Sequence, residues 1–100
     1  MANRVAVITG ASRGIGKGIA IVLAGHGYDI GFSYCSAEDQ AVRLQRQIWE
    51  EFGRRCEIWR ADLRKPGAGP AFVEAAADKL GGLDVLVNNA GATRFESILN

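Results

Sequence analysis

The sequence has little proline, little cysteine and almost no net charge. Only two of its 100 residues are proline and two are cysteine, and 12 basic against 11 acidic side chains leave a formal net charge of +1. Nucleic acid and anionic membrane surfaces both select a concentrated basic face, which a chain so evenly balanced has little means to supply. We therefore predict neither as a partner.

The sequence also lacks a long apolar run. The first apolar segment, residues 5–8, is interrupted at once by Thr9 and Gly10, so it is too short for the apolar region of a signal peptide. No later run approaches the roughly 20 residues that a membrane-spanning helix needs. We expect a soluble, cytoplasmic chain.

Strand and helix signals alternate along the chain. A short continuous apolar run at residues 5–8 predicts a strand buried on both faces of a parallel sheet; the other predicted strands cover residues 29–34, 56–61 and 83–87. Apolar residues at helical spacing predict three intervening helices that end at glycines; those glycines lie at 25 and 27, at 53 and at 81–82. A further helix is expected to begin beyond Thr93.

The starts of the second and third helices carry more specific signals. Ser36 followed by Asp39 resembles a capping box, with Asp in place of Glu, and predicts a helix that begins there. Pro70 is expected as the first residue of the third helix, where its missing N–H costs nothing. The core-facing positions predicted for these two helices are Ala41, Leu44, Ile48 and Phe52, then Phe72, Ala76 and Leu80.

Alternating strands and helices with short links require a Rossmann-type, doubly wound α/β fold. Right-handed crossovers give the predicted strand order 3-2-1-4, with helices on both faces of the sheet. Ligands bind beyond the carboxyl ends of the strands, where the order reverses between strands one and four. Residues 9–16, 34–36 and 88–91 and Asp62 are all predicted to lie on that rim.

The two cysteines are predicted to be free thiols, and no metal site is expected. Cys35 comes just past the end of strand two, whereas Cys56 lies near the start of strand three. Opposite ends of adjacent parallel strands are roughly 15 Å apart at about 3.3 Å per residue, and a disulfide needs Cα atoms within about 7 Å. No set of Cys, His and carboxylate residues has the spacing of metal ligands.

The segment from Thr9 to Gly16, T-G-x-x-x-G-x-G, links strand one to helix one. A pyrophosphate there would meet free N–H groups at the positive end of a helix dipole, and glycine lets the backbone approach closely. The residues predicted to bind the cofactor in this turn are Gly10, Ser12, Arg13, Gly14, Ile15 and Gly16.

Two commoner phosphate motifs do not fit this turn. A P-loop ending at Lys17 would need glycine in place of Ala11 and a hydroxyl residue in place of Gly18. The spacing G-x-G-x-x-G, counted from Gly14, would place its third glycine at Ile19.

Together with N-N-A-G at residues 88–91, the turn resembles the short-chain dehydrogenase/reductase family over the whole chain, and most closely its 3-oxoacyl-(acyl-carrier-protein) reductases. The resemblance implies that Asp62 contacts the adenine ring, that residues 89–91 line the adenosine ribose and that Asn88 ties the strand ends together. The cofactor-binding residues expected outside the glycine turn are Ser36, Asp62, Leu63, Asn89, Ala90 and Gly91.

The cofactor is predicted to be NADP, with NAD less favoured. A site for NAD usually has a carboxylate at the end of strand two, where this chain has residues 34–36, Tyr-Cys-Ser. Arg13 in the glycine turn can supply a charge-assisted hydrogen bond of about 1.5–3 kcal/mol to the extra phosphate. Glu38 and Asp39 are interpreted as residues of the first turn of helix two, where they complement the dipole.

The resemblance implies hydride transfer between NADP(H) and a carbonyl or secondary alcohol, by a homo-oligomeric protein. In the family, the Ser and the Tyr-x-x-x-Lys pair normally follow the N-N-A-G segment by some distance, so they are expected beyond Asn100. Neither tyrosine can stand in, because Tyr28 is followed four residues on by Phe32 and Tyr34 by Glu38. No catalytic residue is assigned. We expect residues 1–100 to be the N-terminal dinucleotide-binding part of a longer Rossmann domain, marginal in stability and inactive alone. The alternative is a non-catalytic dinucleotide-binding or sensor module.

Overall fold

The computed structural model describes residues 3–11 and 14–89. Strands and helices alternate through them: β1 (Arg4–Thr9), α1 (Gly14–Gly25), β2 (Tyr28–Tyr34), α2 (Glu38–Phe52), β3 (Cys56–Arg60), α3 (Ala68–Leu80) and β4 (Val85–Asn88). All four predicted strands and the three helices between them are present. The helix expected beyond Thr93 lies outside the described residues.

The four strands form one parallel sheet in the order β3-β2-β1-β4, which confirms the predicted Rossmann-type α/β fold. Val7 of β1 lies opposite Gly31 of β2 on one side and opposite Leu86 of β4 on the other. Residues 5–8 are at most 1% exposed, as expected for a strand covered on both faces. The strand order therefore reverses beside β1.

Helices cover both faces of the sheet and form two apolar layers. On one face, α1 and α2 bury Phe32 of β2 with Leu44 and Ile48. On the other face, α3 buries Phe72, whose ring meets Trp59 of β3 edge to face, with centroids 5.6 Å apart. The predicted core positions of both helices are buried, except that Phe52 is half-buried.

The predicted cap of α2 was wrong. The helix begins at Glu38, its N-cap residue is Ala37, and no side chain caps it. Ser36 therefore lies one residue too early to cap the helix, and Asp39 is its second residue instead of its third. Glu38 and Asp39 do lie in the first turn, as interpreted, and Gly53 ends the helix in a left-handed conformation with φ 65°.

The predicted starts of α3 and β4 were each two residues off. Pro70 is the third residue of α3, which begins at Ala68; the first four N–H groups of any helix have no partner within it, so proline is still tolerated there. Strand β4 begins at Val85 and not at Leu83, because Asp84 forms hydrogen bonds to Val5 at the start of β1. The Asp84 N–H donates to the Val5 carbonyl oxygen at 2.8 Å, and Asp84 Oδ2 accepts the Val5 N–H at 2.8 Å.

A buried carboxylate lies at the opposite end of the sheet from the predicted ligand rim. Asp29 of β2 is 2% exposed and its Oδ1 lies 3.2 Å from Nε of Arg54. The same oxygen accepts the Arg55 N–H at 3.2 Å, and Oδ2 accepts an N–H of Asn3 at 3.3 Å. These contacts join the start of β2 to the segment that leads into β3.

Both cysteines are free thiols, as predicted: Cys35 is exposed and Cys56 is buried. Burial, with a smaller contribution from the neighbouring Glu57 carboxylate, raises the pKa of the Cys56 thiol to about 12. None of the helices described is both long enough and apolar enough to cross a membrane.

Candidate cofactor-binding site

The glycine turn leaves β1 at Thr9 and enters α1 at Gly14. Gly10 and Gly14 have φ values of 70° and 67°, a conformation that side chains disfavour. The first N–H groups of α1, from Gly14 through Gly16, have no acceptor within the helix and lie at the positive end of its dipole. This end of α1 faces the reversal of strand order, and its donors are suited to an anion.

The end of β4 fixes the turn from one side. Asn89 donates a side-chain N–H to the Gly10 carbonyl oxygen at 2.8 Å, and its backbone N–H donates to Thr9 Oγ1 at 2.9 Å. The Thr9 hydroxyl in turn donates to Oδ1 of Asn88 at 3.2 Å. Two adjacent asparagines thus hold the end of β1 and the first residue of the turn.

Gly16 lies where the turn, α1 and β4 meet. A Cβ atom at Gly16 would lie 2.5 Å from the Gly10 carbonyl oxygen, 2.7 Å from Asn89 Nδ2 and 2.9 Å from the Ala11 Cα. These distances are shorter than real Cβ contacts, so any side chain here would displace the turn from the asparagine. The third glycine of the motif is therefore required by packing against the two other segments.

Strand β2 fixes the turn from the other side. The Gly10 N–H donates to Ser33 Oγ at 3.0 Å and the Ala11 N–H donates to the Ser33 carbonyl oxygen at 3.1 Å. Ser33 is 1% exposed. Sequence reasoning missed this residue; the available signal was a serine between Phe32 and Tyr34 near the carboxyl end of a predicted strand.

The carboxyl ends of β2 and β3 lie side by side, because the Ala61 N–H donates to the Tyr34 carbonyl oxygen at 2.8 Å. Ser36 comes after β2 and is exposed, whereas Asp62 and Leu63 come after β3 and are partly exposed. The first carboxylate after β2 is Glu38, which lies in α2.

Arg64 holds the Asp62 carboxylate from two sides. Its Nε and Nη2 donate to the two carboxylate oxygens at 3.0 and 3.1 Å, and its backbone N–H donates to Oδ1 at 3.1 Å. These bonds keep the pKa of Asp62 at about 2, below the ordinary 3.8. Arg64 was not among the predicted site residues, although an acidic residue with a partner two positions on is the pattern of an Asx turn.

A groove of about 820 Å³ runs between β4 and the first half of α3 and reaches this rim. Thr9, Asn88 and Leu63 line its rim end, and Val73 and Leu86 make its walls apolar. Leu63 therefore faces a space beside the ends of β1 and β4.

The described candidate residues gather in two groups at the carboxyl ends of the strands. Gly10, Gly14, Ile15, Gly16 and Asn89 meet at the junction of β1, α1 and β4, and Ser36, Asp62 and Leu63 lie at the ends of β2 and β3. The other candidates, Ser12, Arg13, Ala90 and Gly91, lie outside the described residues. Among residues 3–11 and 14–89, no three His, Cys, Asp or Glu side chains are grouped so as to hold a metal ion.

The parallel sheet, its strand order and the glycine turn at the reversal point define a protein of the Rossmann class. The family model described as short chain dehydrogenase matches residues 4–100. The chain belongs to the short-chain dehydrogenase family, which confirms the resemblance drawn from the two motifs.

The similar proteins include bacterial oxidoreductases. The chain is 43% identical over 89 residues to the oxidoreductase YohF of Escherichia coli, covering 89% of this chain and 35% of that protein. It is 36% identical over 92 residues to a 3-oxoacyl-(acyl-carrier-protein) reductase, FabG, of Staphylococcus epidermidis, covering 92% of this chain and 37% of that one. The solved structure of acetoin dehydrogenase from Enterobacter cloacae matches with a TM-score of 0.82 and 41% identity, over 92% of this chain and 36% of that one.

The chain thus spans little more than a third of the length of these relatives. Its membership of the family implies a nicotinamide dinucleotide. The residues present fit such a group, because α1 offers N–H donors at its start and Gly16 leaves no side chain between the turn and the strand ends.

Proposed function

We propose that this chain binds NADP at the rim formed by β1, α1 and β4, and that the complete protein transfers hydride between NADP(H) and a carbonyl or secondary alcohol. The observation that carries the proposal is the glycine turn, which Asn89 and Ser33 hold from opposite sides with its helix N-terminus open. A turn fixed in advance binds an anion without the cost of ordering the backbone at that moment.

The two groups of candidate residues fit the two parts of the dinucleotide. The N–H groups of Gly14, Ile15 and Gly16 are suited to the pyrophosphate, since they lie at the positive end of α1. Asp62, whose carboxylate is held ionised by Arg64, is suited to accept a hydrogen bond from the adenine amino group. Leu63 supplies apolar contact beside it.

The preference for NADP is supported by the residues at the carboxyl end of β2. A carboxylate there would accept hydrogen bonds from the free ribose hydroxyls of NAD and would repel a phosphate. Ser36 stands at this end instead, and Glu38 belongs to α2. Arg13 of the glycine turn is proposed to donate to the phosphate on the adenosine ribose.

Titration of the chain with NADPH and NADH, followed by the fluorescence of the reduced nicotinamide, tests the cofactor. Tighter binding of NADPH is expected, and Arg13→Ala should weaken it about tenfold while leaving NADH affected little. Arg43→Ala, on the exposed surface of α2, is the matched control and should change neither affinity. Tighter binding of NADH, together with unchanged NADPH affinity in Arg13→Ala, would contradict the NADP proposal.

The chemistry of the complete protein belongs to the same proposal. The cofactor gives or accepts the hydride, and the residues described here bind and orient the cofactor. None of them is assigned to proton transfer. A relative named for acetoin and another named for a 3-oxoacyl group on an acyl-carrier protein both support a carbonyl or alcohol substrate. A homo-oligomeric, cytoplasmic complete protein is proposed on the same family basis.

A non-catalytic dinucleotide-binding or sensor module is the second candidate function. One observation favours it: the glycine turn that Ser33 and Asn89 hold is suited to binding, and none of the described residues is assigned to proton transfer. An assay of the complete protein for NADPH oxidation with a small ketone such as acetoin separates the two, because residues 1–100 are expected to be inactive alone in either case. Binding with no turnover supports the module, and ketone-dependent oxidation of NADPH supports the reductase.

A further inference from the structure

The N–H groups of the first two residues after β1, Gly10 and Ala11, both donate hydrogen bonds to Ser33. Its hydroxyl accepts the Gly10 N–H at 3.0 Å and its carbonyl oxygen accepts the Ala11 N–H at 3.1 Å. Because Ser33 is 1% and Ala11 0% exposed, water cannot take over the Ala11 bond without local opening, and the Gly10 bond is partly buried. Donors to a pyrophosphate must therefore come from the part of the turn nearer α1.

Ser33 also lies at the point where the two groups of the site are joined through the backbone. It precedes Tyr34, whose carbonyl oxygen accepts the Ala61 N–H at 2.8 Å and so holds the end of β3. Three residues beyond Ser33, the chain reaches Ser36, on the proposed ribose side. A shift of the turn relative to Ser33 would therefore change the distance between the two binding regions.

We propose that Ser33 is a positioning residue, whose hydroxyl sets where the pyrophosphate lies relative to the adenosine side of the site. The inference rests on the proposed function, because it requires a dinucleotide at this rim. The Ala11 bond uses the Ser33 backbone and survives any substitution that keeps the strand. The Gly10 bond needs the hydroxyl, so the side chain alone decides whether the first residue of the turn is held.

The variant Ser33→Ala leaves the partly buried Gly10 N–H without its acceptor. We expect the affinity for NADP to fall about tenfold, the effect of one lost hydrogen bond that holds the turn. Adenosine 2′-phosphate carries no pyrophosphate and meets the turn only through the proposed Arg13 contact, so its affinity should fall less, by under about threefold on the same scale. If Ser33 only stabilised the fold, Ser33→Ala would lower the affinities for the two ligands by the same factor.

The experiment measures binding of NADP and of adenosine 2′-phosphate to the full chain and its variants by calorimetry. The matched control is Ile30→Val, a truncation of a fully buried side chain nearer the start of the same strand, which should leave both affinities unchanged. A clearly larger loss of affinity for NADP than for adenosine 2′-phosphate in Ser33→Ala supports the proposal. Equal loss for both ligands, or unchanged NADP affinity in a folded Ser33→Ala chain, overturns it.

Failure of the proposed function gives a different result, since the unaltered chain would then bind neither ligand, and the role of Ser33 would fall with it. Amide hydrogen exchange covers the case in which Ser33→Ala does not fold. A Gly10 amide that is protected in the unaltered chain both before and after NADP is added supports the proposal. Rapid exchange of that amide in the unliganded chain overturns it.

Discussion

The side-chain amide of Asn89 lies 2.8 Å from the Gly10 carbonyl oxygen and fills the space that a Cβ atom on Gly16 would enter, 2.7 Å away. One asparagine therefore does two things: it holds the start of the glycine turn and it limits what may stand at the start of α1. Gly16 and Asn89 depend on each other, although 73 positions of sequence, 16 to 89, separate them.

Gly16→Ala tests this dependence. The added methyl group would force the Gly10 carbonyl and the Asn89 amide apart, so we expect the free energy of unfolding to fall by about 1–3 kcal/mol. NADP binding should be lost with it. Urea unfolding followed by circular dichroism measures the first effect and NADPH fluorescence the second.

Gly18→Ala is the control, because it adds the same methyl group two residues further along α1 where nothing lies within 4 Å. Replacing glycine by alanine within a helix should stabilise this variant by about 0.5–1 kcal/mol. Equal behaviour of the two variants would show that the short contacts at Gly16 do not govern the turn.

The two thiols should differ strongly in reactivity. Cys35 is exposed, whereas Cys56 is buried and its pKa is raised to about 12, so Cys56 stays protonated at neutral pH. Iodoacetamide should label Cys35 at neutral pH and reach Cys56 only when urea unfolds the chain, as mass spectrometry of the peptides would show. Equal labelling of both thiols in the native chain would contradict the burial of β3 against α2.

Because the pKa of Cys56 is raised in the folded chain, the free energy of unfolding should fall at high pH. The unfolded chain loses the thiol proton near the ordinary pKa of 9, and the folded chain only near 12. The folded state therefore has its full advantage below pH 9 and loses it as pH rises toward 12. Cys56→Ala should have a flatter stability profile across this window, measured by urea unfolding at each pH.

Removal of the Arg64 guanidinium should raise the pKa of Asp62. In Arg64→Met the carboxylate keeps only the backbone N–H, so its pKa should rise from about 2 toward the ordinary 3.8. Because the pKa is depressed in the folded chain, the stability linked to it is present above pH 3.8 and is lost as pH falls to about 2. Carboxyl-carbon NMR shifts followed against pH measure the change.

Lys65→Met provides the comparison for Arg64→Met. The Lys65 charge has the smallest of the influences that lower the pKa of Asp62, so this variant should move it far less. A larger shift in Lys65→Met than in Arg64→Met would reject the paired geometry of Asp62 and Arg64.

Asp29 should be needed for stability and not for binding. Asp29→Ala leaves the half-buried Arg54 guanidinium without its carboxylate and removes the acceptor of the Arg55 N–H, so a loss of roughly 3 kcal/mol is expected. Glu50→Ala, on the exposed side of α2, should stay within about 0.5 kcal/mol of the unaltered chain. Urea unfolding measures both variants. An effect of Asp29→Ala no larger than that of Glu50→Ala would count against the ion pair.

The fold could be predicted from the sequence because its signals are local. Apolar runs such as residues 5–8 identify buried strands, and glycines such as Gly53 mark helix ends. The start of α2 was missed because capping depends on one residue of register: Ser36 has the right side chain, but Ala37 holds the cap position. Strand β4 was started too early because Asp84 bonds to Val5, a partner that no local pattern shows.

The candidate site was predictable only in part, for the same reason. The glycine spacing identified which residues form the turn, since close backbone approach leaves a motif in the sequence. What holds the turn depends on contacts between strands: Ser33 on one side and Asn89 on the other. Arg64 was missed because an arginine in an exposed loop is ordinary until its carboxylate partner is seen.

The bonds between Thr9 and Asn89, and between Val5 and Asp84, join residues about 80 positions apart. Among the described residues these contacts close the largest loops, and such pairings are expected to form late in folding because loop closure must precede them. The proposed cofactor-binding site is therefore complete only when β4 docks. We expect ligand binding to report the completion of folding, and a nascent chain shorter than about 89 residues to be unable to hold a dinucleotide.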